Sequence, residues 1–518
     1  MRGGNELPSS WVHVPLGELG DWYGGGTPSK ANDKFWSHGT IPWFSPKDMK
    51  AFRLQSSEDR ITRAAVDSSS VDVFPPDTVL MVVRSGILVH TFPVAVAGVE
   101  ATMNQDLKGV VPKDGVDATY LAYALRNSGR DILNQCSKAG TTVASIDTLA
   151  LHRYSIPLAP TNEQQRVVEK LDELLSDLDA GIAALERARA NLKRYRAAVL
   201  KAAVEGRLTE KWRASHPDAE PAEKLLERIS AERRKKWEEA QLKKYAEKGQ
   251  APPKGWKDKY IGLAKPDVAS MPALPMSWLW SSLGQCFSVV VGSTPSRRES
   301  RYWNGDVNWV SSGEVRFSRI SETKEKITPE GLTNSSTRIN PKGSVLLGMI
   351  GEGKTRGQAA ILDIAAANNQ NCAAIWVSKT EVRPEFVYFW LWSRYEITRS
   401  GGSGNNQPAL NKSLVEQIPL PLPPLEEQRE IVMETDRLLS ICDAVEKQLK
   451  TEDARSSRLR QSILKRAFEG KLVPQDPKDE PASELLARIR AERAVQSQRG
   501  NGGGKENGSR RGKEAEPV

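Results

Sequence analysis

The chain has 518 residues, of which 39% are hydrophobic and 14 are tryptophan. That length exceeds one ordinary domain and that composition fills real cores, which excludes wholesale disorder. A net charge of +9 favours an acidic partner such as nucleic acid. The four cysteines, at 136, 286, 372 and 442, form no Cys-x-x-Cys pair and no Cys/His cluster. Neither a disulfide framework, nor a metal site, nor any other cofactor is expected. The start MRGGNELPSSW has no apolar signal region, and no run of about 18 apolar residues occurs. A soluble cytoplasmic protein with no membrane partner is expected.

Taken in order, residues 1–159 read as a mixed α/β domain. Thr78 to Val83 and Phe92 to Val96 read as strands between Gly, Pro and Asp turns, and a helix is predicted near Ala118 to Asn127. A helical region follows over 160–248. Its first helix is predicted to start at Asn162 as N-cap, with Glu163 in the first turn. Leu171, Leu178, Leu185 and Leu192 recur every seven residues, with Val168, Leu175 and Ile182 as companions until Arg189 and Arg196 interrupt. This is a heptad seam that fades, and Gly206 is the predicted stop. An unbroken helix from Glu163 to Glu205 would span roughly 65 Å at about 1.5 Å per residue. A second helical unit starts at Pro221, and residues 249–275 read as a linker rich in Pro, Lys and Gly. The run Arg233 to Lys236 is followed by Glu238 and Glu239 and reads as a solvated helix face.

The chain then repeats itself. At an offset of 264, Glu163-Gln164 meets Glu427-Gln428, Leu174-Leu175-Ser176 meets Leu438-Leu439-Ser440, and Glu205-Gly206 meets Glu469-Gly470. The second helix keeps a looser seam through Leu438, Cys442, Val445 and Leu449. The globular parts repeat too: Gly26-Thr27-Pro28-Ser29 matches Ser293-Thr294-Pro295-Ser296, and Trp36 and Trp43 match Trp303 and Trp309. Residues 276–420 are therefore a second globular domain, 421–495 a second helical region, and 496–518 a disordered tail. The recurring tryptophans read as core, and Asn104-Gln105 with Asn369-Gln370 as a shared turn or cap.

These motifs together resemble the specificity (S) subunit of Type I restriction–modification systems. The resemblance covers nearly the whole chain. It rests on the tryptophan and G/S-T-P-S opening of each globular domain, and on the entries Ile156-Pro157-Leu158 with Glu163-Gln164 and Leu420 to Pro424 with Glu427-Gln428. It rests also on the exits Leu200 to Leu208 and Leu464 to Leu472. The resemblance implies an α+β fold: two mixed α/β target-recognition domains separated by two long helices that form an antiparallel coiled-coil spacer, with pseudo-twofold repetition. It implies a non-catalytic subunit that reads a bipartite target in double-stranded DNA. It would dock methyltransferase subunits, two of them, and restriction/translocase subunits. A repeated chain suits a split site whose spacing protein geometry sets.

Base edges and phosphates are reached by polar and cationic side chains on exposed loops. In the first domain the candidates are Ser45, Lys47, Asp48, Lys50, Arg84, Lys138, Thr141 and Thr142. In the second they are Ser311, Ser312, Glu314, Arg316, Lys354, Arg356, Ser403, Asn405, Asn406 and Gln407. One competing reading comes from Gly348 to Thr355, which fits the phosphate-cradling pattern GxxxxGK[ST] and would make the chain a P-loop nucleotide-binding protein. That reading needs a helix to begin within the motif, and Gly357 stands against one. A purely structural coiled-coil protein is the third reading, and it leaves two tryptophan-rich domains idle.

Overall fold

The computed structural model describes residues 7–140, 142–260, 262, 265–351, 354–400 and 410–502. Two units emerge: residues 1–185 with 451–518, and residues 186–450. Each holds one globular domain together with parts of both long helices.

The first unit is built on a five-stranded sheet. Its order is Gly20–Gly24, Leu107–Pro112, Val79–Val82, Val94–Ala97, Arg53–Leu54. All neighbours are antiparallel except the last pair. Val79–Val82 and Val94–Ala97 are buried on both faces, which is why they read as unbroken apolar runs. A three-stranded sheet of Asp59–Ile61, Ile41–Phe44 and Thr102–Met103 sits beside it. The helix Ala118–Cys136 runs past the predicted end at Asn127, because Ile132 and Cys136 carry its buried face beyond the Asn127-Ser128-Gly129 stretch.

The second unit repeats this plan with other residues. Its five strands are Val289–Val291, Cys372–Ile375, Val345–Gly348, Ala359–Leu362 and Ser318–Ile320, again parallel only at the last pair. Its three-stranded sheet is Glu325–Ile327, Trp303–Val310 and Ala367–Asn368. A helix Pro384–Ser393 stands where Ala118–Cys136 stands in the first unit.

The long helices run Thr161–Val204 and Leu425–Phe468, 44 residues each. Both end by the same device. Gly206 and Gly470 take positive φ, and the next amide bonds back, Arg207 N to Ala202 O and Lys471 N to Arg466 O, at 2.9 Å each. At the other end, Asn162 is not the cap expected of it. It lies inside the first turn, with its amide donating to Asp479 at 3.2 Å. The Glu-Gln pair closes the helix start instead. Gln164 accepts from Asp117 N at 2.8 Å and donates to Ala159 O at 2.8 Å; Gln428 accepts from Arg383 N and donates to Pro423 O, both at 3.0 Å. The preceding Glu in each case is buried and takes an indole N–H, from Trp11 or Trp278.

The helices pair antiparallel within each unit. In the first, Asp179 faces Arg460. In the second, Arg196 faces Asp443 and Glu446, and Arg189 donates to Leu449 O at 3.3 Å. Leu171 and Leu175 are buried, while Val168, Leu178, Ile182, Leu185 and Leu192 are half-buried, as befits a seam covered on one side. Arg189 and Arg196 do not break the heptad. They hold seam positions and meet a carbonyl and carboxylates there. On the second helix Cys442 and Leu449 are buried and Leu438 is half-buried, but Val445 is 41% exposed. Ile431, Thr435 and Leu439 are buried as well, Ile431 and Leu439 within the core of the second unit, and Glu446, one residue on from Val445, turns toward Arg196.

A helix Ala222–Glu247 follows the first exit and Ala482–Gly502 the second. The latter extends into the stretch expected to be disordered, and 503–518 lie outside the described residues. Within the expected linker, Trp256 on a short turn stacks on Trp237 with centroids 5.9 Å apart. No described helix is long and apolar enough to cross a membrane.

Candidate nucleic-acid interface

The G/S-T-P-S turn of each domain hangs on two tryptophans. Trp43 Nε1 donates to Gly26 O at 2.9 Å and Trp36 Nε1 to Ser29 O at 3.1 Å. Trp309 Nε1 donates to Ser293 O at 3.1 Å and Trp303 Nε1 to Ser296 O at 3.2 Å. Each pair is edge-to-face, with centroids 5.2 Å apart in both units. The turn's threonine then reaches the Asn-Gln dipeptide: Thr27 Oγ1 to Gln105 at 2.5 Å, Thr294 Oγ1 to Gln370 at 2.6 Å. Gly25 and Gly292 are needed here, since a Cβ on either would sit within 2 Å of the carbonyl oxygen of Asn104 or Asn368. These residues form a frame.

The loops after Trp43 and Trp309 leave that frame, and several candidates have structural duties within them. Ser45 and Asp48 form a capping box. Asp48 accepts from Ser45 N at 2.9 Å, Ser45 Oγ at 2.8 Å and Glu58 N at 2.8 Å. Ser311 and Glu314 repeat it, Glu314 accepting from Ser311 N and Oγ at 2.9 Å and from Lys324 N at 3.0 Å. Lys47 bridges Asp59 at 2.9 Å and Glu58 at 3.1 Å, and Lys50 reaches Glu58 at 3.4 Å. Hydrogen bonds donated to Asp59 and Glu58 hold the Lys47 ammonium above its usual range, and Lys47 lowers Glu58 in turn. Arg316 donates Nε to Gly313 O at 2.5 Å beside a cleft of about 530 Å³ that Arg319 and Lys324 also border. Ser312 takes part in the turn Ser312–Glu314.

A second cluster forms where two further loops of the first unit meet. Arg84 bridges Ser145 in antiparallel fashion, Ser85 N donates to Ala144 O at 3.0 Å, and Lys138 N donates to Ser145 O at 2.8 Å. Arg84 and Lys138 are thereby brought together at Ser145, and Thr142, earlier on the same loop, is exposed; Thr141 lies outside the described residues. Arg84 stands 3.6 Å from Asp106 and is mostly exposed. In the second unit Lys354 is exposed and Tyr395 OH donates to its carbonyl at 2.8 Å. Arg356 turns inward to donate to Arg399 O at 2.8 Å, so it braces the loop. Ser403, Asn405, Asn406 and Gln407 lie outside the described residues.

Residue-type reasoning missed Arg297. Its guanidinium lies 3.7 Å from the Trp303 ring centre and pairs with Glu325. The clue was its place, directly after the repeated turn. The nucleotide-binding alternative fails on topology. Gly348 ends a strand, Lys354 to Gly357 are turn, and Ala359–Leu362 returns antiparallel on Val345–Leu347. A phosphate cradle requires a helix there. Among the described residues no group of three or more His, Cys, Asp or Glu could hold a metal ion.

One frame is used twice, with different loops set on it and a long helix following each copy, which defines a repeated recognition scaffold. The chain belongs to the Type I restriction modification DNA specificity domain family, whose domain matches twice, at residues 8–187 and 275–452. The Type I restriction enzyme EcoR124I/EcoR124II specificity subunit of Escherichia coli is 48% identical over 158 residues, 30% of this chain and 39% of that one. The EcoDI specificity subunit of Escherichia coli is 25% identical over 503 residues, 95% of this chain and 97% of that one. A chain from the solved structure "Structural basis underlying complex assembly and conformational transition of the type I R-M system" shares the fold. Its TM-score is 0.63 at 16% identity, over 90% of this chain and 99% of that chain.

Proposed function

We propose that this chain is the DNA-reading subunit of a Type I restriction–modification complex. Residues 1–159 and 276–420 act as target-recognition domains, each reading one half of a bipartite duplex site. The long helices, with regions 160–248 and 421–495, act as spacer and as docking ground for two methyltransferase subunits, which restriction/translocase subunits join. The chain does no chemistry of its own, and it works in the cytoplasm, where the DNA is.

The observation that carries this reading is the repeated frame with unlike loops. Both capping boxes, both tryptophan pairs and both Glu-Gln joints recur, yet Pro46, Lys47 and Lys50 give way to Ser312, Gly313 and Arg316. Like frames hold the loops of each domain in the same way, and differing exposed side chains give them different sequences to read. Mapping methylated adenines in cells with and without the gene tests it. The expected motif is split, and exchanging residues 1–155 for those of another family member changes one half only. A change in both halves would refute the assignment of one domain to one half.

A further inference from the structure

Two aliphatic side chains stand exposed on a stiff loop of the first unit. Ile87 is 44% exposed and Val89 70%. They occupy the turn Gly86–Val89 between strands Val79–Val82 and Val94–Ala97. Local bonds hold this turn. The Ser85 side chain accepts from Ile87 N at 3.4 Å, Leu88 N donates to Ser85 O at 3.2 Å, and Thr91 N donates to Ile87 O at 3.0 Å. Leu88 and Phe92, on either side of Val89, are buried and anchor it. The fold itself therefore imposes the exposure of Ile87 and Val89.

Single exposed aliphatic residues are ordinary. These are not scattered. Val143, 42% exposed, lies on the neighbouring loop that Ser85 N bonds at Ala144 O. The same pair of loops carries Arg84 and Lys138. The second unit makes a parallel choice. Its corresponding hairpin, between Val345–Gly348 and Ala359–Leu362, exposes Ile350 at 43% and carries the exposed Lys354. An exposed aliphatic side chain thus recurs at this hairpin in both units, each time with an exposed cation on the same hairpin, Arg84 in one and Lys354 in the other.

A duplex offers one apolar group at a base edge in the major groove, the C5 methyl of thymine, set between two rows of phosphates. An aliphatic tip with cations beside it is complementary to that arrangement in shape and in charge. We propose that Ile87 and Val89 discriminate thymine by contact with its methyl group, while Arg84 and Lys138 hold adjacent phosphates. This rests on the DNA-reading function above and adds which chemical group the first domain reads and with which residues.

The test uses the chain assembled with its methyltransferase subunits and a duplex carrying the mapped site. Each thymidine of the half read by the first domain is replaced in turn by deoxyuridine, which removes only the methyl. Wild-type complex is expected to lose about fourfold in affinity at one or two positions, the worth of one buried methyl group. Val89→Ala or Ile87→Ala is expected to lose a similar factor on the thymidine duplex and to become indifferent to uracil there. Uracil in the other half leaves both variants and wild type alike. The inference falls if uracil has no effect at any position while split-site recognition is normal. It falls equally if both variants still sense the methyl, or if they keep full site discrimination and instead fail to bind methyltransferase subunits, which would mark the tip as a protein-docking surface. Absence of any split site in the wild type would overturn the functional reading, and this inference with it.

Discussion

Trp278 donates its indole N–H to Oε2 of Glu427 at 2.8 Å, and both side chains are buried. Trp11 does the same to Glu163 at 3.0 Å. The other carboxylate oxygen distinguishes the two joints. Oε1 of Glu427 takes the Arg213 guanidinium and the Thr209 hydroxyl, whereas Oε1 of Glu163 takes only the neutral amide of Gln475. One buried carboxylate is therefore ion-paired and its twin is not.

Glu427→Gln is expected to destabilise the second unit. Breaking a buried ion pair costs about 3–5 kcal/mol, and because Arg213 keeps some contact with water the loss is placed at about 2–3 kcal/mol. Urea titration should show a lower midpoint with an unchanged slope. An unshifted midpoint would show that the pair contributes nothing net.

Glu163→Gln should behave oppositely. Burial raises the Glu163 carboxyl above its ordinary range, against the hydrogen bonds from Trp11 and Gln475. A carboxyl raised in the folded state contributes stability that is present below its unfolded value near 4.5 and lost as pH rises through the folded value. At pH 7 the charge is thus a cost, and glutamine removes it, with Gln475 free to turn its amide and still bond. The substitution should raise the urea midpoint at pH 7 and make little difference below pH 4.5. Asp479, which Arg166 holds below its usual range, loses its contribution only at still lower pH, so the two windows separate. An equal effect of Glu163→Gln at both pH values would contradict this account.

The capping boxes separate holding from reading. Ser45→Ala and Ser311→Ala should each cost about 1 kcal/mol of stability and leave the methylated motif unaltered. A changed motif in either would mean that the serine touches bases.

Arg84→Ala and Lys138→Ala should weaken DNA binding without altering the motif. Each removes about one phosphate contact, so the slope of log affinity against log salt should flatten by about 0.9. An unchanged slope would remove that side chain from the phosphate contacts.

Removing one heptad from each long helix shortens each by about 10 Å. If the helices set the distance between half-sites, the spacer in the methylated motif contracts by about three base pairs at roughly 3.4 Å each, or methylation is lost. Methylation at an unchanged spacer would end the idea of a ruler.

The sequence showed the duplication, the strands of the central hairpin and the glycine stops, because each is written in local pattern. It showed the Glu-Gln motif without its meaning, since the partners of Gln164 and Glu163 come from Asp117, Ala159, Trp11 and the distant Gln475. Ser45 and Asp48 were read by residue type as DNA contacts, although Ser-Pro-Lys-Asp and Ser-Ser-Gly-Glu both carry the S-x-x-[DE] spacing of a capping box. The second seam was misplaced at Val445 because only apolar residues were allowed to mark it. A charged Glu446 held the position through Arg196, and no single-helix pattern reveals that.

The four indoles of the turn frame all bond to main-chain carbonyls: Gly26, Ser29, Ser293 and Ser296. A carbonyl is the same whatever side chain stands beside it. The position that is glycine in one copy and serine in the other is gripped equally well in both. A duplicated gene built this way can drift in what it displays while its grip stays indifferent to the wording, so new target preferences can arise without a refolding problem to solve first.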